Sequence, residues 1–185
     1  MPEPRPWNLL RTRAERDFRI FVACTLDVTD PRTGTEYVRT ILKCPDWVNV
    51  VALTTDQRVI LVRQFRFGTW SNTLEIPGGM VDPHETDVAA AAKRELEEET
   101  GFVPASMELL GSSLPNPAIQ TNRLHTFLAR DCRQVHQGHQ DGSEDIEVVL
   151  TPKGEIANLV RSGAISHSLV LAAFLYDRVG PNLLG

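Results

Sequence analysis

The sequence predicts an α+β fold. Three observations carry that prediction: strand-like segments come first, helical segments are interspersed without regular βαβ alternation, and the length suits one domain with a real core. The 185 residues are 42% hydrophobic and 23% charged, ordinary globular usage that excludes a disordered chain and a fibrous repeat.

The elements follow in chain order. Phe18 to Leu26 is β-rich, Asp30-Pro31-Arg32-Thr33-Gly34 is a turn, and Glu36 to Leu42 is β-branched again, which predicts a hairpin. Val48 to Leu53 and Arg58 to Gln64, separated by Thr54-Thr55-Asp56-Gln57, predict a second hairpin. Leu74-Glu75-Ile76 then runs into Pro77-Gly78-Gly79, where proline ends regular pairing and two glycines let the chain bend and expose main-chain groups.

From Thr86 to Thr100 the pattern becomes helical, with Ala89 to Ala92 and Leu96 as good formers and Gly101 where a left-handed cap is wanted. Ile119 to Leu128 and Glu147 to Leu150 are candidate strands. Glu155 to Arg161 and Ser168 to Arg178 are candidate helices, and Thr151-Pro152 offers a cap followed by proline at a first helical position.

Charge and cysteine usage limit the function classes. Lys plus Arg is 19 and Asp plus Glu is 24, a formal net charge of −5, so nucleic acids and membrane surfaces lack their simplest electrostatic driver. Cys24, Cys44 and Cys132 are odd in number with no C-x-x-C pair, which argues against a disulfide framework and structural zinc and predicts buried thiols. Met1 to Phe18 carries three prolines and charges where a signal peptide needs an apolar segment, and the longest apolar run, Leu169 to Tyr176, is too short to span a bilayer. A soluble cytoplasmic protein is expected.

The acidity is concentrated. Residues 82 to 99 hold seven acidic side chains and two basic ones, a sum of −5, so the remaining 17 acidic and 17 basic residues cancel. Within Arg94-Glu95-Leu96-Glu97-Glu98-Glu99, Glu98 lies about 60° behind Glu95 on a helix and Glu99 about 40° ahead of it, while Glu97 points to the far side. Three carboxylates on one face repel unless cations neutralise them, and their hard oxygens suit Mg²⁺ or Mn²⁺ rather than zinc. A Glu-rich helix standing alone reads as a solvated face; here a glycine bend precedes it and a glycine stop follows.

Gly79-Met80-Val81-Asp82-Pro83-His84-Glu85, followed by Arg94 to Phe102, resembles the Nudix box, G-x5-E-x7-R-E-U-x-E-E-x-G-U with U apolar. Every fixed position is present. Eight residues, Thr86 to Lys93, separate Glu85 from Arg94 where the pattern has seven; the unbroken Arg94 to Phe102 block places the extra residue in the loop before the helix and puts the placement of Glu85 in question.

The resemblance implies a Nudix fold, an α/β/α sandwich with a mixed sheet, over residues 46–185, preceded by an N-terminal antiparallel β extension over residues 1–45. It implies that Glu95, Glu98 and Glu99 ligate Mg²⁺, with Mn²⁺ as a substitute, helped by the carbonyl of Gly78. Gly79, Glu85 and Arg94 would be structural, with Glu85 pairing to Arg94. The implied chemistry is metal-assisted attack of water on a diphosphate.

Leu61-Val62-Arg63-Gln64-Phe65-Arg66, Leu74 to Gly79 and Pro117 resemble the branch that hydrolyses ADP-ribose and other nucleoside diphosphate sugars to a nucleoside monophosphate and a sugar phosphate. By that resemblance Arg66 would grip the diphosphate through its planar fork, with Glu75 and Trp47 as further substrate-binding residues. The polar run Asp141 to Glu147 would deliver Glu144 as the base beside Glu98 and Glu99, with Asp145 or water activated on the metal as alternatives. The N-terminal extension would exchange across a homodimer and place Trp7, Phe21 or Trp47 against a nucleobase. Two rival functions stay open: a pyrophosphatase acting on nucleoside triphosphates or dinucleoside polyphosphates, and a non-catalytic module that senses a nucleotide sugar.

Overall fold

A computed structural model describes residues 3–138 and 145–180. The chain divides into two compact units: residues 1–45 with 114–123, and residues 46–113 with 124–185. The segment that joins the N-terminal 45 residues was not foreseen from sequence.

The first unit is a three-stranded antiparallel sheet, β1 (Asn8–Asp17), β2 (Val22–Thr29) and β3 (Glu36–Lys43), in the order β1-β2-β3. The hairpin between β2 and β3 closes as expected, with Asp30 donating its amide to Thr35 O and accepting from Gly34 N at 2.9 Å. Two expectations are corrected. Phe18 to Phe21 is the turn between β1 and β2, closed by Phe18 N to Phe21 O, so the expected strand begins at Val22. β1 itself went unread because all ten of its residues are exposed and show no apolar alternation. It is held by its ladder to β2 and by Arg11, whose Nε reaches buried Asp27 at 2.7 Å. Residues 114–123 join through β3: Leu42 N donates to Ile119 O, and Thr121 N to Leu42 O. Ile119 to Arg123 therefore lie outside the strand expected to start at Ile119.

The second unit is built on a mixed sheet. Its strands are β4 (Trp47–Thr54), β5 (Arg58–Arg66), β6 (Ser71–Glu75), β7 (Gly78–Met80), β8 (Phe102–Val103), β9 (Ser106–Ser113), β10 (Leu124–Gln134) and β11 (Glu147–Pro152). The main path is β11-β5-β4-β10-β8, with β4 parallel to β10 and the remaining pairs antiparallel. Helix α1 (Val88–Thr100) sits on one face over Val48, Val50, Ala52, Ile60 and Phe127. Helices α2 (Ile156–Arg161) and α3 (Ser168–Val179) cover the other, over Val51, Leu53, Leu61 and Leu128. Alternate residues of β4 and β5 thus feed two cores, the mark of a strand buried on both sides.

β4 and β5 pair next to their turn, Leu53 opposite Val59, and then separate. The chain returns between them: β6 pairs with β5, and after Pro77 the chain crosses so that β7 pairs with β4. The glycine bend is real, but its main-chain groups are engaged rather than exposed. Pro77 O accepts from Val50 N at 2.9 Å, and Gly78 N donates to Glu99 Oε2 at 3.0 Å.

The remaining corrections are local. Thr151 and Pro152 end strand β11 instead of capping a helix, since an edge strand tolerates a residue without an amide hydrogen, and a 3-10 turn at Lys153–Glu155 leads into α2. No helix among the described residues is long and apolar enough to cross a membrane.

Candidate active site

Helix α1 carries the acidic face, and its ends are fixed by local chemistry. Asp87 accepts from Ala89 N at 2.9 Å as the cap, and Gly101 takes φ 72° while its amide donates to Glu97 O. A Cβ at Gly101 would collide with the carbonyl of His136, so both conformation and space demand glycine. The cap at Asp87 leaves Thr86 in the loop and lets α1 run unbroken from Val88 through Arg94 to Thr100.

Glu85 is not displaced by that residue. Arg94 clasps it with both arms, Nε to Oε1 at 3.0 Å and Nη2 to Oε2 at 2.9 Å, while Asp82 N donates to Oε2 at 2.9 Å. These bonds, the guanidinium first, hold the Glu85 carboxyl down to about 2. The third nitrogen of Arg94, Nη1, lies 2.9 Å from both Glu95 Oε1 and Glu98 Oε2. Arg94 is therefore the counter-ion that lets the carboxylates crowd, and through Glu85 it ties the loop to the helix.

The three carboxylates differ in exposure: Glu99 is buried, Glu95 is partly covered and Glu98 is half in solvent. Glu98 and Arg94 border an open depression of about 580 Å³ with Lys93 and His136. Gly79 faces Glu95 so closely that a Cβ there would stand 2.5 Å from its carboxylate, and at Gly78 a Cβ would strike Val48 O and Asn49 Cα. The double glycine is thus a cradle pressed against the acidic face on one side and β4 on the other. Hard oxygens around a side-chain-free cradle suit a divalent cation. Among the described residues, as placed, no three acidic, histidine or cysteine side chains converge on one point; Arg94 stands between Glu95 and Glu98.

Arg66 and Glu75 meet directly. Arg66 Nε and Nη2 reach the two oxygens of Glu75 at 2.9 and 2.8 Å, so the guanidinium fork grips a carboxylate of the protein itself. Thr73 donates to Oε1 at 2.6 Å, and His167, just before α3, bonds Oε2 at 2.9 Å through Nδ1. Burial by itself would raise the Glu75 carboxyl; the Arg66, His167 and Thr73 bonds outweigh it and hold it well below the usual carboxylate range. Neither Thr73 nor His167 was singled out from sequence. Thr73 shares a strand face with Glu75 at i, i+2, a readable signal, whereas His167 is 92 residues away and left none.

Ile60 and Val62 share a face of β5 with Gln64 and Arg66, and Ile60 packs with Leu96 of α1, so the Arg66–Glu75 pair continues the sheet face that carries the acidic helix. Trp47 is half-buried at the start of β4, opposite Met80 of β7. In the other unit, Trp7 meets Tyr37 edge-on with Arg39 over both rings, and Phe21 lies against Phe18. Pro115 and Pro117 flank Asn116, whose carbonyl accepts from Ile119 N and Gln120 N across a turn that contains Pro117. Glu144 lies outside the described residues; Asp145 is exposed and is followed by buried Ile146.

The model of the NUDIX domain matches residues 45–173, which include both the box and the Arg66–Glu75–His167 cluster. The chain belongs to the Nudix family. Among similar curated proteins, an ADP-ribose pyrophosphatase of Bacillus subtilis is 30% identical over 75% of each chain. A methanol dehydrogenase activator of Bacillus methanolicus is 27% identical over 84% of each chain. A GDP-mannose pyrophosphatase of Salmonella arizonae is 32% identical over 60% of this chain and 62% of its own. A crystal structure of an ADP compounds hydrolase superposes with a TM-score of 0.84 at 23% identity, covering 97% of this chain and 96% of that one, a likeness of fold. Nudix enzymes generally need a divalent metal.

Proposed function

We propose that this Nudix protein is a Mg²⁺-dependent pyrophosphatase that hydrolyses the diphosphate of nucleoside diphosphate sugars, of the ADP-ribose or GDP-mannose type, to a nucleoside monophosphate and a sugar phosphate. The observation that carries the reading is the complete box: the Glu85–Arg94 clasp forms despite the extra residue, Glu95 and Glu99 meet the Gly78-Gly79 cradle, and Glu98 shares Arg94 Nη1 with Glu95. The substrate class is supported by the names of the ADP-ribose and GDP-mannose pyrophosphatases among its relatives.

In this reading Glu95, Glu98, Glu99 and the carbonyl of Gly78 hold the cation, for which Mn²⁺ can substitute. When bound, the metal neutralises the diphosphate and makes an attacking water more acidic. Arg94 releases Glu98, the most exposed of its three partners, and keeps the two-armed bond to Glu85 that positions the helix face. Arg66, held in plane by Glu75, faces the substrate, and Trp47 borders it. Proton removal from water falls to Glu144 or Asp145.

A homodimer belongs to the same reading. Its support is the apolar surface that one chain leaves in water on the N-terminal sheet, including Leu9, Leu10 and Val38.

The test is a hydrolysis screen with Mg²⁺ over ADP-ribose, GDP-mannose, dinucleoside polyphosphates and nucleoside triphosphates, with products identified by chromatography. A nucleoside monophosphate plus a sugar phosphate supports the reading. Pyrophosphate released from triphosphates would replace it with the triphosphate reading. Binding of nucleotide sugars without turnover would favour a sensing module.

A further inference from the structure

Glu75 has no acceptor capacity left for a substrate. Each of its oxygens accepts two hydrogen bonds, Oε1 from Arg66 and Thr73 and Oε2 from Arg66 and His167, and a carboxylate offers about four such positions. Its side chain is 4% exposed, whereas those of Arg66 and His167 are 43% and 38% exposed. A buried anion thus anchors the inner edges of two basic side chains whose outer parts meet solvent.

The anchoring also fixes the chemistry of the imidazole. An ionised carboxylate only accepts, so Nδ1 of His167 is the nitrogen that carries hydrogen, and Nε2 is the one turned away from Glu75. No group among the described residues bonds Nε2. Protonation adds an N–H there, beside the guanidinium held by the same Glu75 oxygen.

Position relates this pair to the box. The start of α3 is tied to β4 by Asn49 Nδ2 donating to Leu169 O at 3.3 Å, and Asn49 is the register partner of Gly78. Only Ile76 and the bend at Pro77 separate Glu75 from Gly78, so at most about 10 Å of chain lies between them. A diphosphate held at the glycine cradle would extend toward Arg66 and His167 with its next phosphoryl group.

We propose that His167 is a substrate-binding residue whose Nε2, oriented by Glu75, acts with Arg66 to hold a phosphoryl group of the nucleoside diphosphate, the one farther from the acidic helix. The inference deepens the proposed function and rests on its diphosphate substrate.

Three variants separate binding from positioning. His167→Asn keeps an N–H where Nδ1 stood and leaves nothing at Nε2; His167→Gln places an N–H near Nε2; His167→Leu removes both. With Mg²⁺ and ADP-ribose, Asn and Leu should raise KM about tenfold, the loss of one hydrogen bond to a charged group, with kcat within about twofold, and Gln should recover most of the change. Calorimetric titration of ADP-ribose in EDTA, where nothing turns over, should show the same order of affinities. Wild-type KM in the Asn variant would overturn the proposal, as would an unchanged Leu variant or a loss confined to kcat. If the wild type fails to hydrolyse ADP-ribose yet binds it more tightly than His167→Asn in EDTA, the hydrolytic reading falls and the phosphoryl site stands. If it hydrolyses ADP-ribose and the Asn variant matches it in both measurements, the reverse holds. A wild type that neither hydrolyses nor binds it removes both.

Discussion

At the scale of single residues, two buried carboxylates do opposite work. Glu99 accepts the Gly78 amide on the acidic helix face, and Glu99→Gln removes one carboxylate with almost no change in shape. Turnover should fall by at least a hundredfold while the melting temperature holds or rises, since repulsion is relieved; steady-state rates and thermal melts check both. Glu75 is the structural counterpart. Its native pKa is depressed, so its contribution to stability is complete above the ordinary carboxylate value of 4.5 and is lost as pH falls below it toward the lower native value. Glu75→Gln should therefore cost on the order of 3 kcal/mol near neutral pH, as breaking a buried pair does, and the gap to wild type should narrow as melts are taken below about pH 4.5. A gap that stays constant down to pH 3 would contradict this. The acidic box was legible because all its members lie within one helix and the loop before it. The hold of Glu75 on Arg66 and His167 was not, since it joins three elements and a separation of 92 residues between Glu75 and His167.

At the scale of elements, the strand switch at Pro77 explains why two adjacent glycines have different duties. A Cβ at Gly78 meets backbone, Val48 O and Asn49 Cα, which cannot yield without breaking the β4–β7 pairing. A Cβ at Gly79 meets the end of the Glu95 side chain, which can swing away. Gly78→Ala should destabilise the fold by about 2–3 kcal/mol. Gly79→Ala should melt within a few degrees of wild type yet lose at least tenfold in kcat, because Glu95 has moved; equal stability losses in the two variants would refute the distinction. Helix α1 could be read to within two residues of its start because its alanines, Leu96 and a left-handed glycine all agree. β1 could not, since a strand exposed along its whole length carries no burial pattern. Pro-Gly-Gly announced a bend but not the exchange of partner strands, which depends on β4 and β5 having already parted.

At the scale of the whole molecule, the net charge of −5 resolves into one acidic helix and its loop on an otherwise neutral chain. Arg94 offsets part of that charge within the protein, and a bound cation would offset more, turning a site that repels phosphate into one that attracts it. Residues 114–123 return to the unit of residues 1–45, a long-range join that no local pattern encodes. The proposed dimer predicts a light-scattering mass of twice 20.6 kDa, and a mass of 20.6 kDa at micromolar concentration would remove it.

The proposed hydrolysis of nucleoside diphosphate sugars requires both the box carboxylates and a divalent metal. The most direct measurement is a Mg²⁺ titration of ADP-ribose and GDP-mannose hydrolysis by the wild type and Glu99→Gln, with products identified. Nucleoside monophosphate and sugar phosphate should form from the wild type only when Mg²⁺ is present, and activity should fall at least a hundredfold in a Glu99→Gln protein that remains folded. Turnover that persists in excess EDTA, or a Glu99→Gln variant as fast as the wild type, would contradict that requirement.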